Sequence, residues 1–146
     1  MKEINLYSDG SSLGNPGPGG WGTILEYNGN EKELSGAQNN TTNNQMELKA
    51  VIEGLKAIKE PCEVHIISDS SYVVKGINEW LEGWVKRDWK NSAKKPVKNI
   101  DLWKEYIEAS KAHKIKASWV KGHAGHEHNE RCDILARTQA EKLKGN

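Results

Sequence analysis

The sequence predicts a mixed α/β sheet, and three observations predict it. Alternating segments near the N-terminus are joined by an Asn28-Gly29 hairpin signal, Thr42-Asn43-Asn44-Gln45 marks the start of a helix, and a short apolar strand, Val64–Ser68, follows that helix. The order strand, helix, strand requires a right-handed crossover, which sets the first and fourth strands parallel.

Taken in order, Glu3–Asp9 alternates, with Ile4, Leu6 and Ser8 on one face and Asn5, Tyr7 and Asp9 on the other, and Gly10 is expected to break the strand. Ser11 to Gly20 is too rich in Gly, Pro and Ser for regular structure, so a second strand is placed at Trp21–Tyr27. A third, about Glu31–Ser35, lies antiparallel to it across the hairpin. Thr42 and Gln45 have the form of a capping box, and Leu48, Val51, Ile52, Leu55 and Ile58 follow at helical spacing until Pro61. Val64–Ser68 closes on Asp69, and a helix starts at Ser70 or Ser71. Asn99 can cap a helix carrying Ile100, Trp103 and Ile107. A fifth strand runs from Ile115 to Val120, and a last helix, Asn129–Leu143, turns Cys132, Leu135, Ala136, Ala140 and Leu143 inward. Trp103 and Trp119 are assigned to the core.

Length and composition bound the protein further. The 146 residues suit one domain spanning 1–146, and an apolar share of 36 % with 14 Gly is near the globular norm of about 45–50 %, which excludes disorder. Cys62 and Cys132, with no CxxC, exclude a disulfide framework and point to a reducing compartment. No apolar run approaches the ~18 residues of a membrane span, and the N-terminus has no secretory character, so the expected location is cytoplasmic, away from membranes. The net charge of +1 hides an asymmetry. Between Trp80 and Lys98 stand six bases and two acids, leaving this segment at +4 and the remainder at −3.

Chemistry gathers at strand ends. Asp9-Gly10 and Asp69-Ser70 each end a strand of a parallel pair, where ligands of open α/β sheets collect. Glu47 falls early in the first helix and Asp133 early in the last, so four carboxylates can converge. Like charges that close raise one another's pKa unless a divalent cation joins them, and an all-oxygen donor set favours Mg²⁺ or Mn²⁺ and phosphoryl transfer. Any one of these acids alone reads as a cap or a solvated charge, and Asp133 with Arg137 can form a plain i,i+4 pair. Gly17-Pro18-Gly19-Gly20-Trp21-Gly22 fits GxGxxG formally, but a strand follows it, which argues against a dinucleotide site; these glycines are read as a tight loop beside the active site. The spacing of His123, His126, His128 and Cys132 fits no common zinc module.

Seven blocks together resemble bacterial ribonuclease HI. They are Tyr7-Ser8-Asp9-Gly10-Ser11, Gly14 to Gly20, Thr41 to Leu48, Ser68-Asp69-Ser70, Lys94 to Asn99, Val120 to His126 and Asn129 to Asp133, in family order over nearly the whole chain. The resemblance implies a ribonuclease H-like fold, a five-stranded mixed sheet with helices on both faces and a basic handle at about 80–98. It implies endonucleolytic cleavage of the RNA strand of RNA/DNA hybrids, leaving 5′-phosphate and 3′-hydroxyl ends. Asp9, Glu47, Asp69 and Asp133 would hold two Mg²⁺ ions, Mn²⁺ substituting, with Asp9 bridging and the ions about 4 Å apart. His123 would shuttle protons or assist product release, a task suited to its ordinary pKa of about 6.5.

On the substrate side, the resemblance sets Gly10, Ser11, Ser12, Asn15, Asn43, Asn44, Glu47 and Ser71 along the RNA strand, where the 2′-hydroxyl distinguishes ribose. Trp80 and Trp84 would form a platform for the DNA strand, Lys86, Arg87, Lys90, Lys94 and Lys95 would attract its phosphates, and Thr42 and Asn99, with Ser92 nearby, would hold one of them. Gln45, Ser71 and Asn40 depart from the family pattern, standing where relatives often carry Arg, Gln and Arg. A monomer is expected. The alternative is a non-catalytic hybrid-binding module on the same fold, which would retain the basic segment while losing acids; all four acids are present.

Overall fold

The alternation of the N-terminal segment builds the central strand. A computed structural model describes residues 1–122 and 126–145 of the chain. β1 (Lys2–Ser12) pairs antiparallel with β2 (Gly17–Tyr27), which pairs antiparallel with β3 (Asn30–Thr41). On its other side β1 pairs parallel with β4 (Cys62–Ser68), and β4 with β5 (Lys114–Trp119), giving the order β3-β2-β1-β4-β5. Between these strands run α1 (Asn43–Lys56), α2 (Ser71–Lys75), a π-helical turn (Gly76–Trp80), α3 (Leu81–Lys86), α4 (Ile100–Ser110) and finally α5 (Glu127–Lys144).

The expected faces of β1 are borne out. Leu6 packs beneath α1, while Tyr7 stacks its ring on His128 of α5 on the opposite face. The main core, with Leu6, Leu48, Ile52, Leu55, Ile66 and Trp103 fully buried, lies between the sheet and the α1–α4 pair. Cys62 and Cys132 are both free and buried, and burial holds both thiols above their ordinary pKa.

Several boundaries differ from the expectation, each for a tertiary reason. Gly10 does not break β1, which continues to Ser12 because β2 supplies partners as far as Gly19. Gly10 is required by close approach: a Cβ there would lie 2.2 Å from the backbone nitrogen of Glu47. Of the stretch Ser11–Gly20, residues 13–16 form a loop as expected, but Ser11 and Ser12 extend β1 and Gly17–Gly20 join β2, with a bulge between Gly17 and Gly19. Gly20 and Gly22 face α5, whose backbone oxygens at Ala136 and Cys132 would lie 2.2 and 2.6 Å from an added Cβ. Those glycines therefore set the helix-to-sheet distance.

The Thr42 cap forms as expected, its Oγ1 accepting from the Gln45 amide at 3.2 Å. The reciprocal half of the box does not. Gln45 instead accepts from the Thr41 hydroxyl at 2.8 Å and donates to Asn99 Oδ1 at 3.2 Å. Asn99 precedes α4 in a left-handed conformation (φ 60°) with no side-chain cap bond, because its Oδ1, the atom a cap would use, accepts from Gln45 Nε2, while its amide donates to the Tyr72 hydroxyl at 3.1 Å. Trp119 is not in the core: it is 53 % exposed, since it shares its alternation phase with Ile115 and Ala117 but stands at the last position of β5, beyond the covering helices.

Candidate active site

Parallel pairing places two acids side by side. Ser8 of β1 aligns with Ser68 of β4, so Asp9 and Asp69, each the next residue, leave the sheet together. The start of α1 passes so close to Gly10 that Glu47 joins them. One ligand oxygen from each of Asp9, Glu47 and Asp69 lies within 4.8 Å of the other two. The Gly10 N–H is shared, donating to Asp9 Oδ1 at 2.9 Å and to Glu47 Oε1 at 3.0 Å.

Burial decides the electrostatics of this group. Asp9 is 7 % exposed and Glu47 9 %. Desolvation pushes the Asp9 carboxyl up to about 6, repulsion from Asp69 and Asp133 adding to it while hydrogen bonding to Glu47 and Gly10 opposes it. Glu47 is held well above the ordinary carboxylate range, by burial first and then by Asp9 and Asp69. Its second oxygen, Oε2, is buried with no hydrogen-bond donor among the described residues. A buried acceptor without a donor, beside two further carboxylates, fits a hard divalent cation with oxygen ligands.

Asp133 borders the same cleft, a volume of about 420 Å³ also lined by Ser11, Asn43, Asn44, Ser70, Ser71 and Tyr72. Its Oδ2 is engaged by Arg137, with Nε and Nη2 each at 3.0 Å, so the i,i+4 pair does form at the rim of the acid group. His123 lies outside the described residues. A neighbouring cleft of about 500 Å³ gathers Asn15, Thr42, Asn43, Asn44, Gln45, Lys98 and Asn99, and Ser12 is tied to it by its N–H donating to Asn43 Oδ1 at 2.7 Å. Asn40 is exposed and left-handed (φ 53°), a conformation Asn tolerates better than most residues.

The basic segment is anchored by aromatic rings. Trp80 and Trp84 are 5.7 Å apart between centroids, and Trp84 meets the buried Trp103 edge-on at 5.5 Å. A turn follows in which Asn91 Oδ1 accepts from the amides of Ala93 and Lys95, and Lys90 bridges to Pro96. Lys86, Arg87, Lys90, Ser92, Lys94 and Lys95 are all exposed along it, Lys86 pairing only with Glu82 on its own helix.

Three features were not read from the sequence. Tyr72 accepts from Trp103 Nε1 at 2.9 Å as well as from Asn99, joining the cleft to the aromatic cluster. Trp119 donates its indole N–H to the Asp69 carbonyl at 2.9 Å. Glu26, Glu31 and His128 form a second group able to hold a divalent cation, although Glu31 already pairs with His128 and Arg131. All three rest on contacts between residues distant in sequence, so no local pattern signals them.

A sheet of this order with acids converging at the ends of its parallel strands defines an α/β domain built to hold a divalent cation at that edge. A family model described as RNase H matches residues 1–141. The chain is 64 % identical over 143 residues to a ribonuclease H of Sulfurovum sp. (strain NBC37-1), covering 98 % of this chain and 94 % of that one. Identity to the ribonuclease H of Campylobacter concisus (strain 13826) is 62 % over 144 residues, covering 99 % and 96 %. Among solved structures, LC9-RNase H1, a type 1 RNase H with the type 2 active-site motif, superposes with a TM-score of 0.88 at 34 % identity, over 97 % of this chain and 74 % of that one. The chain belongs to the ribonuclease H family, on its bacterial ribonuclease HI branch. No helix among the described residues is long and apolar enough to cross a membrane.

Proposed function

We propose that this chain cuts the RNA strand of RNA/DNA hybrids endonucleolytically, leaving 5′-phosphate and 3′-hydroxyl ends, and that residues 1–146 act as one catalytic domain with 80–98 as its nucleic-acid arm. The observation that carries the reading is the Asp9, Glu47, Asp69 group with its donor-less Glu47 oxygen. These acids, with Asp133 at the rim, would hold two Mg²⁺ ions, for which Mn²⁺ could substitute. Divalent ions so held activate the attacking water and neutralise charge on the leaving oxygen. Asp9, which hydrogen-bonds to Glu47 and feels the charges of Asp69 and Asp133, would be the acid shared by the two ions. The Gly10 N–H keeps Asp9 and Glu47 oriented towards one another. His123 carries protons or helps product leave, from the segment between Gly122 and His126.

The RNA strand runs along Gly10, Ser11, Ser12, Asn15, Asn43, Asn44 and Ser71, whose short polar groups suit a 2′-hydroxyl that both donates and accepts. The DNA strand lies over Trp80 and Trp84, with Lys86, Arg87, Lys90, Lys94 and Lys95 drawing its phosphates and Thr42, Asn99 and Ser92 receiving one. Two buried, free cysteines support a cytoplasmic setting, and the chain is read as a monomer.

The test is cleavage of an end-labelled RNA/DNA hybrid beside matched DNA/DNA and RNA/RNA duplexes, each with Mg²⁺ and with excess chelator. Cuts confined to the RNA of the hybrid and abolished by chelator are expected. Binding without cuts would replace this reading by a non-catalytic hybrid-binding module.

A further inference from the structure

Trp119 is the largest exposed apolar side chain beside the acids. It is 53 % exposed, whereas Trp103 is fully buried, and among the described residues no aromatic ring stacks on it. An amphipathic indole whose N–H is satisfied by the protein presents its apolar face outward at the edge of the acid group, a surface suited to packing against substrate. Its orientation is set, since Nε1 donates to the Asp69 carbonyl at 2.9 Å and the next amide, Val120, donates to Ser68 at 2.9 Å. Three residues further on, the backbone of Gly122 closes on the other side of Asp69, where an added Cβ would stand 2.9 Å from the carboxylate. The stretch 119–122 therefore bonds to the Asp69 carbonyl and passes close to its carboxylate. The polar edge of the indole is turned to the protein and the apolar body to solvent.

We infer that Trp119 is a substrate-contacting and positioning residue: its N–H fixes Asp69, and its ring packs against the ribose of an RNA nucleotide next to the one being cut. The occupant follows from place. Asp69 shares the reacting phosphate's site, so a ring tied to its carbonyl stands within one nucleotide of that phosphate. In a paired hybrid the bases are stacked on one another, which leaves the sugar edge as the apolar surface on offer. The inference rests on the hybrid-cleaving reading above.

Trp119→Phe keeps a ring and removes the N–H, while Trp119→Ala removes both. Steady-state cleavage of the hybrid should show Trp119→Phe with kcat lowered about 3- to 10-fold and KM within 2-fold, and Trp119→Ala with KM raised a further 5- to 10-fold, in the range of single aromatic contacts to nucleic acid. A binding measurement without turnover separates this inference from the hydrolase reading. In the Asp9→Asn background, hybrid should quench tryptophan emission, and Trp119→Phe should remove part of that quench; thermal melting of each variant identifies loss of fold. Wild-type kcat and KM in both folded variants, with the quench unchanged, would overturn the inference. Wild-type protein that binds hybrid without cutting it would overturn the hydrolase reading, and the quench would still decide Trp119. Protein that neither cuts nor binds hybrid would overturn both.

Discussion

The acid group and the basic segment handle charge in opposite ways. Asp9 and Glu47 are buried, share one N–H, and are pressed together where Gly10 lets a helix and a strand nearly touch. The bases of 86–95 stand in water on a turn tied to the fold by a chain of rings ending at Trp103 and by Trp89 packed against the core. Burial makes each acid costly to ionise and hence eager for a cation; exposure makes each base individually weak and useful only in sum. The molecule thus concentrates stored electrostatic energy where a bond is to be broken and spreads attraction where a long polymer is to be held.

The sharpest way to break that contrast is Asp9→Asn. It should lower cleavage by about 10³-fold or more while hybrid affinity stays within a few-fold, read by single-turnover cleavage and by titration of labelled hybrid. A near-normal cleavage rate would remove Asp9 from the metal set.

A second test uses stability in chelator. Both buried carboxyls hold protons more tightly folded than unfolded, so their penalty is absent below the ordinary carboxylate range near 4 and develops as pH rises through about 6 for Asp9. Without metal, Asp9→Asn should therefore be more stable than wild type by roughly 1–3 kcal/mol at pH 7.5 and should lose that advantage near pH 4. Denaturant melts at the two pH values with EDTA check this, and Mg²⁺ should narrow the gap at pH 7.5.

For the basic segment, replacing Lys86, Arg87 and Lys90 together by Ala should weaken hybrid binding about 10-fold at moderate salt, with kcat unchanged. The slope of log affinity against log salt should fall by roughly 2–3. An unchanged slope would mean that these bases do not meet phosphates. The smallest effect concerns the helix that carries Glu47. Thr42→Ala removes the cap on Gln45 and should cost about 1 kcal/mol in a denaturant melt, with kcat less affected than by any change at the acids.

Much of the fold was legible because its signals are local. The alternation of Ile4, Leu6 and Ser8, the hairpin at Asn28-Gly29 and the Thr42 cap each depend on residues a few positions apart, and each is found where expected. The errors share a cause. Gly10 and the glycines of β2 read as breaks, yet a paired strand supplies the hydrogen bonds and a neighbouring helix requires the missing Cβ. Asn99 read as a side-chain cap, but its oxygen is claimed by Gln45, 54 positions away. Trp119 read as core because alternation reports a face and not where the covering helix stops. The candidate site was legible as a set of acids at strand ends. The Asp133–Arg137 pair was legible from its i,i+4 spacing; that Asp9, Glu47 and Asp69 meet while Asp133 stays at the rim could not be read, since it depends on how α1 and α5 are seated on the sheet.

By itself, then, the sequence determined the order of strands and helices, the parallel pairing that brings Asp9 beside Asp69, the concentration of positive charge in 80–98, and the family resemblance that its seven blocks carry. Only the tertiary structure decided the 4.8 Å grouping of Asp9, Glu47 and Asp69, the burial that lifts the Asp9 and Glu47 carboxyls, and the turning of Trp119 outward onto Asp69. The physical reason is range. Hydrogen-bond patterns and apolar periodicity are set by neighbours along the chain, whereas desolvation and carboxylate repulsion depend on distances that exist only once distant segments are packed.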